Sequence, residues 1–260
     1  MRMTLGTYQS LSVGPVLMAF LIYLTSCSSD AGKNTVGTNT GSPLLRKTLA
    51  YHDPEGNWPK LKTRLYLRST DSIGKATAFE IEMDNTTGYF AHVSRQDGKE
   101  LVKGMSGGKE FYLLDGKAEI SEEDRKKYGM NPKDVEWVHR FYGYLYGLPM
   151  KLTDAGAIAT DAPESEELGG KTYQVLQVRY KPTAGKDNWF FYLDPQTYAM
   201  QAYKFNHGKP ESGEYILLEQ EETVQGIKIP KVRKWYLNKD GKYLGTDTLL
   251  KAEPLASPRA

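Results

Sequence analysis

Cysteine is all but missing from this 260-residue chain, with Cys27 its one example. No disulfide can form within it, and once Cys27 is set aside no thiol nucleophile remains. An excess of one charge is missing too: 34 Lys and Arg face 32 Asp and Glu, leaving a formal charge of +2. Phosphate binding needs a concentrated basic surface, so no nucleic-acid partner is expected. Histidine is scarce, and His52, His92, His139 and His207 include no H-x-H or H-E-x-x-H pair. Spacing therefore names no metal site and no cofactor. Long apolar runs are absent, with a single exception near the start.

That exception is residues 14–27, too short and wrongly flanked for a spanning helix but shaped like the apolar core of an export signal. Arg2 is the sole charged residue before Cys27, so the formal charge beyond the run is +1. The run closes on Leu24-Thr25-Ser26-Cys27, which resembles a bacterial lipobox. The resemblance implies a signal over 1–26, lipidation of Cys27 as the first mature residue, and the membrane as a partner. Ser28 gives no inner-membrane retention signal, which favours the outer membrane within the cell envelope.

Residues 28–41 are rich in Gly and Thr with one large apolar residue, Val36, and cannot bury enough to offset their ordering entropy. They make 27–41 a flexible tether. A second weak stretch, 252–260 with Pro254 and Pro258, reads as a disordered tail. The intervening 42–251 is the length of one all-β domain, and 18 Tyr, 8 Phe and 4 Trp give the chain ample apolar surface.

Ser42-Pro43 followed by Leu44, Leu45 and Leu49 predicts a capped helix ending near Tyr51, because 52–57 is turn chemistry around Pro54. The period then becomes two. Thr63, Leu65 and Leu67 alternate with Arg64, Tyr66 and Arg68, and Phe79, Ile81 and Met83 with Glu80 and Glu82. Strand-like runs follow at 88–94, 99–104 and 109–114, then at 171–181, 188–193, 199–206, 213–222, 228–237 and 242–250. Asp97-Gly98, Gln225-Gly226 and Asp240-Gly241 supply hairpin turns. The reading is an antiparallel meander of roughly ten or eleven strands, a barrel or a strongly curled sheet. Two helices interrupt it, one opened by Ser121 and one running from Asn131-Pro132 to about Tyr146. The second has a core stripe of Val135, Val138, Phe141 or Tyr142, Leu145 and Leu148, with Trp137, Tyr144 and Tyr146 outside it. A helix with aromatics on more than one side needs contacts on more than one side, as core packing or as a lid.

No catalytic motif survives its context. Gly104-Met105-Ser106-Gly107-Gly108 fits the letters of a nucleophile elbow, but a strand resumes at Lys109 where that motif requires a helix. His52-Asp53, with Trp58 in the same loop, has the residue types of a general base; the helix dipole and turn chemistry account for the pair and are the favoured reading. Glu122-Glu123 and Glu221-Glu222 fit a helix start and a strand end better than a glycosidase pair. Asn85-Thr86-Thr87 is a sequon that an exported bacterial protein does not use.

Several segments together, among them Tyr51-His52-Asp53-Pro54, Gly56-Asn57-Trp58, residues 144–152, residues 189–200, Ser212-Gly213-Glu214-Tyr215-Ile216 and Gly245-Thr246-Asp247, resemble a family of Bacteroidetes lipoproteins assigned to a domain of unknown function. The resemblance spans the chain beyond the tether. More distantly, the aromatic strands either side of Asp194-Pro195-Gln196-Thr197 resemble a hairpin of the lipoprotein carrier LolA and its acceptor LolB. What this implies is a mainly β fold with a few helices: an antiparallel, curled, unclosed half-barrel of about ten strands with helices across its concave face and an apolar cavity between. The carriers' acyl-gating arginine matches no particular residue here. A tethered chain resembles the acceptor more than the soluble shuttle.

The resulting expectation is a non-enzymatic, lipid-anchored envelope protein that holds an apolar or lipid-like ligand. Trp137, Phe141, Tyr144, Leu145, Tyr146, Trp189, Phe191 and Tyr203 are its expected cavity or lid residues, with the strand positions subject to register. The rivals are a structural or interaction module with a filled core, and a hydrolase-type enzyme built on His52 and Asp53.

Overall fold

The structure, a computed structural model, describes residues 41–162, 164–180 and 187–259. The signal segment 1–26, Cys27 and nearly all of the tether lie outside the described residues.

Helix α1 spans Pro43–His52, with the Ser42 hydroxyl accepting the Leu45 N–H at 3.0 Å as its N-cap. Five strands follow: β1 Lys62–Asp71, β2 Ala76–Asp84, β3 Tyr89–Gln96, β4 Lys99–Ser106 and β5 Lys109–Leu114. Then come α2 Glu122–Lys127 and α3 Pro132–Gly147. The remaining strands are β6 Ala157–Asp161, β7 Glu166–Leu168, β8 Lys171–Tyr180, β9 Asn188–Leu193, β10 Met200–Asn206, β11 Glu214–Val224, β12 Ile227–Leu237 and β13 Tyr243–Pro254. Asp97 and Gly98 both take positive φ, 53° and 77°, giving the two-residue turn between β3 and β4 that their identities predict.

The sheet has thirteen strands in the order 5-4-3-2-1-13-12-11-10-9-8-6, with β7 pairing only with the start of β8. It is two meanders joined where β1 lies antiparallel to β13, Thr63 opposite Pro254 and Asp71 opposite Gly245. Among the described residues β5 and β6 stand at opposite ends without pairing, so the sheet curls and stays open. This is the unclosed half-barrel that the hairpin resemblance implied, with more strands than expected. The additional ones, β6 and β7, are short and show no apolar alternation; Ala157 is their one buried residue.

Period-two alternation sends one set of side chains inward. Leu65, Leu67, Phe79, Ile81, Phe90, Phe191, Phe205, Ile227 and Ile229 join a single core under α1 and α3. Helix α1 packs against β12, β8 and β6, whereas α3 crosses β3 and β4. Smaller clusters occupy the outer face. One, formed by Tyr89, Ala91, Val93 and Val102, is covered by Leu255.

The expected disordered tail is therefore corrected. Residues 252–254 complete β13, Leu255 is buried, and Arg259 reaches the fully buried Glu82 with Nε to Oε1 at 2.8 Å. Composition missed this because the partners are 177 positions apart. No described helix is long and apolar enough to cross a membrane.

Candidate functional site

A half-open cavity of about 440 Å³ lies between α3 and the concave face of the sheet. Its main stretch follows a series of registered pairs across the strand ends. Trp235 lies opposite Gly245 on one side and Ile216 on the other; Ile216 faces Tyr203, and in the next row Glu214 faces Phe205, which faces Trp189. In an antiparallel sheet the end of one strand neighbours the start of the next. These residues therefore converge at one rim, although they come from five strands. A second stretch runs along the other side of α3, past Trp58, Met83, Phe90 and His139.

The covering helix forms because Asn131 caps it, accepting the Asp134 N–H at 3.1 Å, and Pro132 opens it. Val135, Val138, Tyr142 and Leu145 are its buried stripe, which settles the choice between Phe141 and Tyr142 for the core. Phe141 instead turns to the cavity, stacked on Trp137 at 4.9 Å and facing Trp235 at 6.1 Å. Tyr144 meets Trp189 at 5.4 Å and shares a 2.8 Å hydroxyl–hydroxyl hydrogen bond with Tyr180.

Of the eight expected cavity residues, Trp137, Phe141, Tyr144, Leu145, Trp189 and Tyr203 line this space. Tyr146 and Phe191 do not; both are fully buried. Phe191 lies beneath Trp189 and Tyr203 at 6.2 and 6.1 Å. Tyr146 packs under the guanidinium of Arg233, 4.1 Å from its ring centre. The interior is thus only partly filled by its own aromatic side chains.

Arg233, Trp235, Glu214 and Asp247 were missed. A signal for the first three existed: Arg233 and Trp235 share the parity of the buried Ile227 and Ile229, and Glu214 shares that of Ile216 and Leu218, so polar residues were marked for an apolar face. Arg233 is 1% exposed and donates Nη1 to the Pro230 carbonyl at 2.9 Å and Nη2 to the Leu145 carbonyl at 3.2 Å, tying β12 to the end of α3. Asp247 faces Arg233 in register and accepts the Trp235 indole N–H at 3.0 Å; burial nevertheless raises its pKa. The Tyr203 hydroxyl has no hydrogen-bond partner among the described residues, and burial holds its pKa far above the usual phenol value.

His52 and Asp53 are elsewhere, each held by backbone. His52 Nδ1 donates to the Lys228 carbonyl at 2.7 Å, and Nε2 accepts the Met200 N–H at 2.9 Å. Burial lowers its pKa, against the opposing effect of the Lys228 hydrogen bond. Asp53 accepts the Asn57 and Trp58 N–H groups at 2.7 and 2.9 Å. Both ring nitrogens of His52 are thus engaged by backbone, and both carboxylate oxygens of Asp53 by the turn that follows it. Ser106 ends β4 ahead of a Gly107-Gly108 hairpin, not at an elbow. Among the described residues no group of three or more His, Cys, Asp or Glu is placed to hold a metal ion.

Solved structures with a similar chain course include a DUF1329 family protein from Desulfovibrio piger, at 9% identity and TM-score 0.49 over 83% of this chain and 93% of that one. A LolA superfamily protein from Nitrosomonas europaea is similar at 8% identity and TM-score 0.49, again over 83% and 93%. No curated protein matches the sequence. The profile of a family of unknown function, DUF6503, matches residues 16–252, and the chain belongs to that family.

Proposed function

We propose that this is a lipid-anchored envelope protein, without enzymatic activity, that binds an apolar or lipid-like ligand in the cavity under α3. The observation that carries the reading is about 440 Å³ of space walled by Trp137, Phe141, Tyr144, Trp189 and Trp235, within the size range of ligand pockets. Removing alkyl surface from water there contributes about 0.8 kcal/mol per methylene, so a modest tail suffices for binding. Cys27 anchors the chain to the outer membrane, residues 1–26 are its signal, and the tether lets the half-barrel stand off the bilayer. Tyr144 and Tyr180, joined by a hydrogen bond, supply polar groups beside the apolar wall.

The test is native mass spectrometry and organic extraction of the purified full-length chain carrying Cys27→Ser, which leaves no anchor to occupy the space. Expected is a retained amphiphile, or uptake of one equivalent of added dodecanol. A chain that emerges empty and takes up none returns the filled-core module as the better reading. Labelled palmitate incorporated by the natural chain and lost with Cys27→Ser checks the anchor separately.

A further inference from the structure

The cavity is acidic as well as aromatic. Asp71, Asp154, Asp187, Glu214 and Asp247 line it, against two cations, Arg140 and Lys151. Both cations are committed, Arg140 to Glu136 at 3.4 Å and Lys151 to Asp154. Most of the carboxylates are committed too. Asp71 accepts the Ile73 and Lys75 N–H groups of its own hairpin at 3.0 and 2.9 Å. Asp187 meets His207 at 2.7 Å, and Asp247 has the Trp235 indole.

Glu214 is left over. It is 4% exposed, lines the cavity at its rim, and its side chain makes no hydrogen bond or ion pair with any described residue. One row inward sits the unpartnered hydroxyl of Tyr203, 2% exposed. A carboxylate this poorly exposed and given no donor by the protein is under-solvated, at a cost that a ligand offsets by bringing a donor or a positive charge.

On the reading that this cavity takes an apolar ligand, we infer that the ligand's polar end is an amine, its cationic nitrogen seated beside Glu214 and its alkyl part along Trp189, Phe205 and Tyr203. Burial pushes the Glu214 carboxyl up to about 7, partly offset by His207, and an added cation reverses that shift. Fatty acids and phosphate monoesters bring the same sign of charge that the rim already carries in excess, and are disfavoured.

The test uses dodecylamine, dodecanol and dodecanoate, which share one tail. Each is titrated below its micellar concentration, near neutral pH, into the full-length Cys27→Ser chain while the fluorescence of the cavity tryptophans is followed. Dodecylamine is expected to bind at least about tenfold more tightly than dodecanoate, and Glu214→Gln to shrink that ratio below about threefold. Dodecanoate binding as tightly as the amine overturns the inference, and so does a preference that survives Glu214→Gln. Dodecanol binding without any amine preference sinks this inference alone. Failure of all three probes removes the apolar-ligand reading with it.

Discussion

At the scale of single residues, His52 shows how a pair with catalytic letters becomes structural. Its ring is fully buried and bridges α1 to β10 and β12, accepting one backbone N–H and donating to one backbone carbonyl. Removing the ring leaves both backbone groups unpaired in a dry site, where each costs about 1–3 kcal/mol. His52→Ala is therefore expected to lower unfolding free energy by about 3 kcal/mol in urea titration. A change within about 0.5 kcal/mol, the range of an ordinary surface substitution, contradicts this account.

Helix α3 carries the argument at the scale of elements. Its cap, its start and its Val135-Val138-Tyr142-Leu145 stripe were legible, because capping and 3.6-residue periodicity are local. The half-barrel strands were legible for the same reason, through alternation and turn residues. Three things were not. Strands β6 and β7 carry too little apolar pattern, the closing segment depends on the distant Glu82, and the Arg233 tether depends on a carbonyl 88 positions away. Tyr146 was misplaced because one position on a helix turns a ring by about 100°, from the cavity into the core.

Gly147, at the last turn of α3, is needed for its close approach. A Cβ there would stand 2.7 Å from the Trp58 ring and against the Lys151 stem. Gly147→Ala is expected to destabilise by about 1–3 kcal/mol and to speed hydrogen exchange in the last turn of α3. Unchanged exchange there means that Trp58 does not hold the helix end.

For the whole molecule, protonation sets the pH dependence. Burial lowers the pKa of His52, His139 and His92, the last to about 3. The unfolded chain protonates these rings below about 6.5 while the native state resists, so the stability they confer is present above that value and lost as pH falls. Glu214 acts in reverse: its native carboxyl takes a proton near 7, before the unfolded chain does at 4.5, which adds stability on acidification. Asp247, whose carboxyl pKa burial also raises, acts in the same direction as Glu214; with three histidines against these two carboxyls, the thermal midpoint is expected to fall between about pH 6.5 and 4.5, and to fall more steeply in Glu214→Gln. Calorimetry across that interval decides, and a midpoint that rises on acidification refutes the balance.

A closed barrel has its bore dictated by strand number and shear, and cannot widen without tearing its own ladder. Here β5 and β6 are the free margins of the sheet, and α3 spans the interior between them, fastened to β12 by one guanidinium. Among the described residues no ladder joins β5 to β6, so strand number and shear do not by themselves fix the calibre of this chamber.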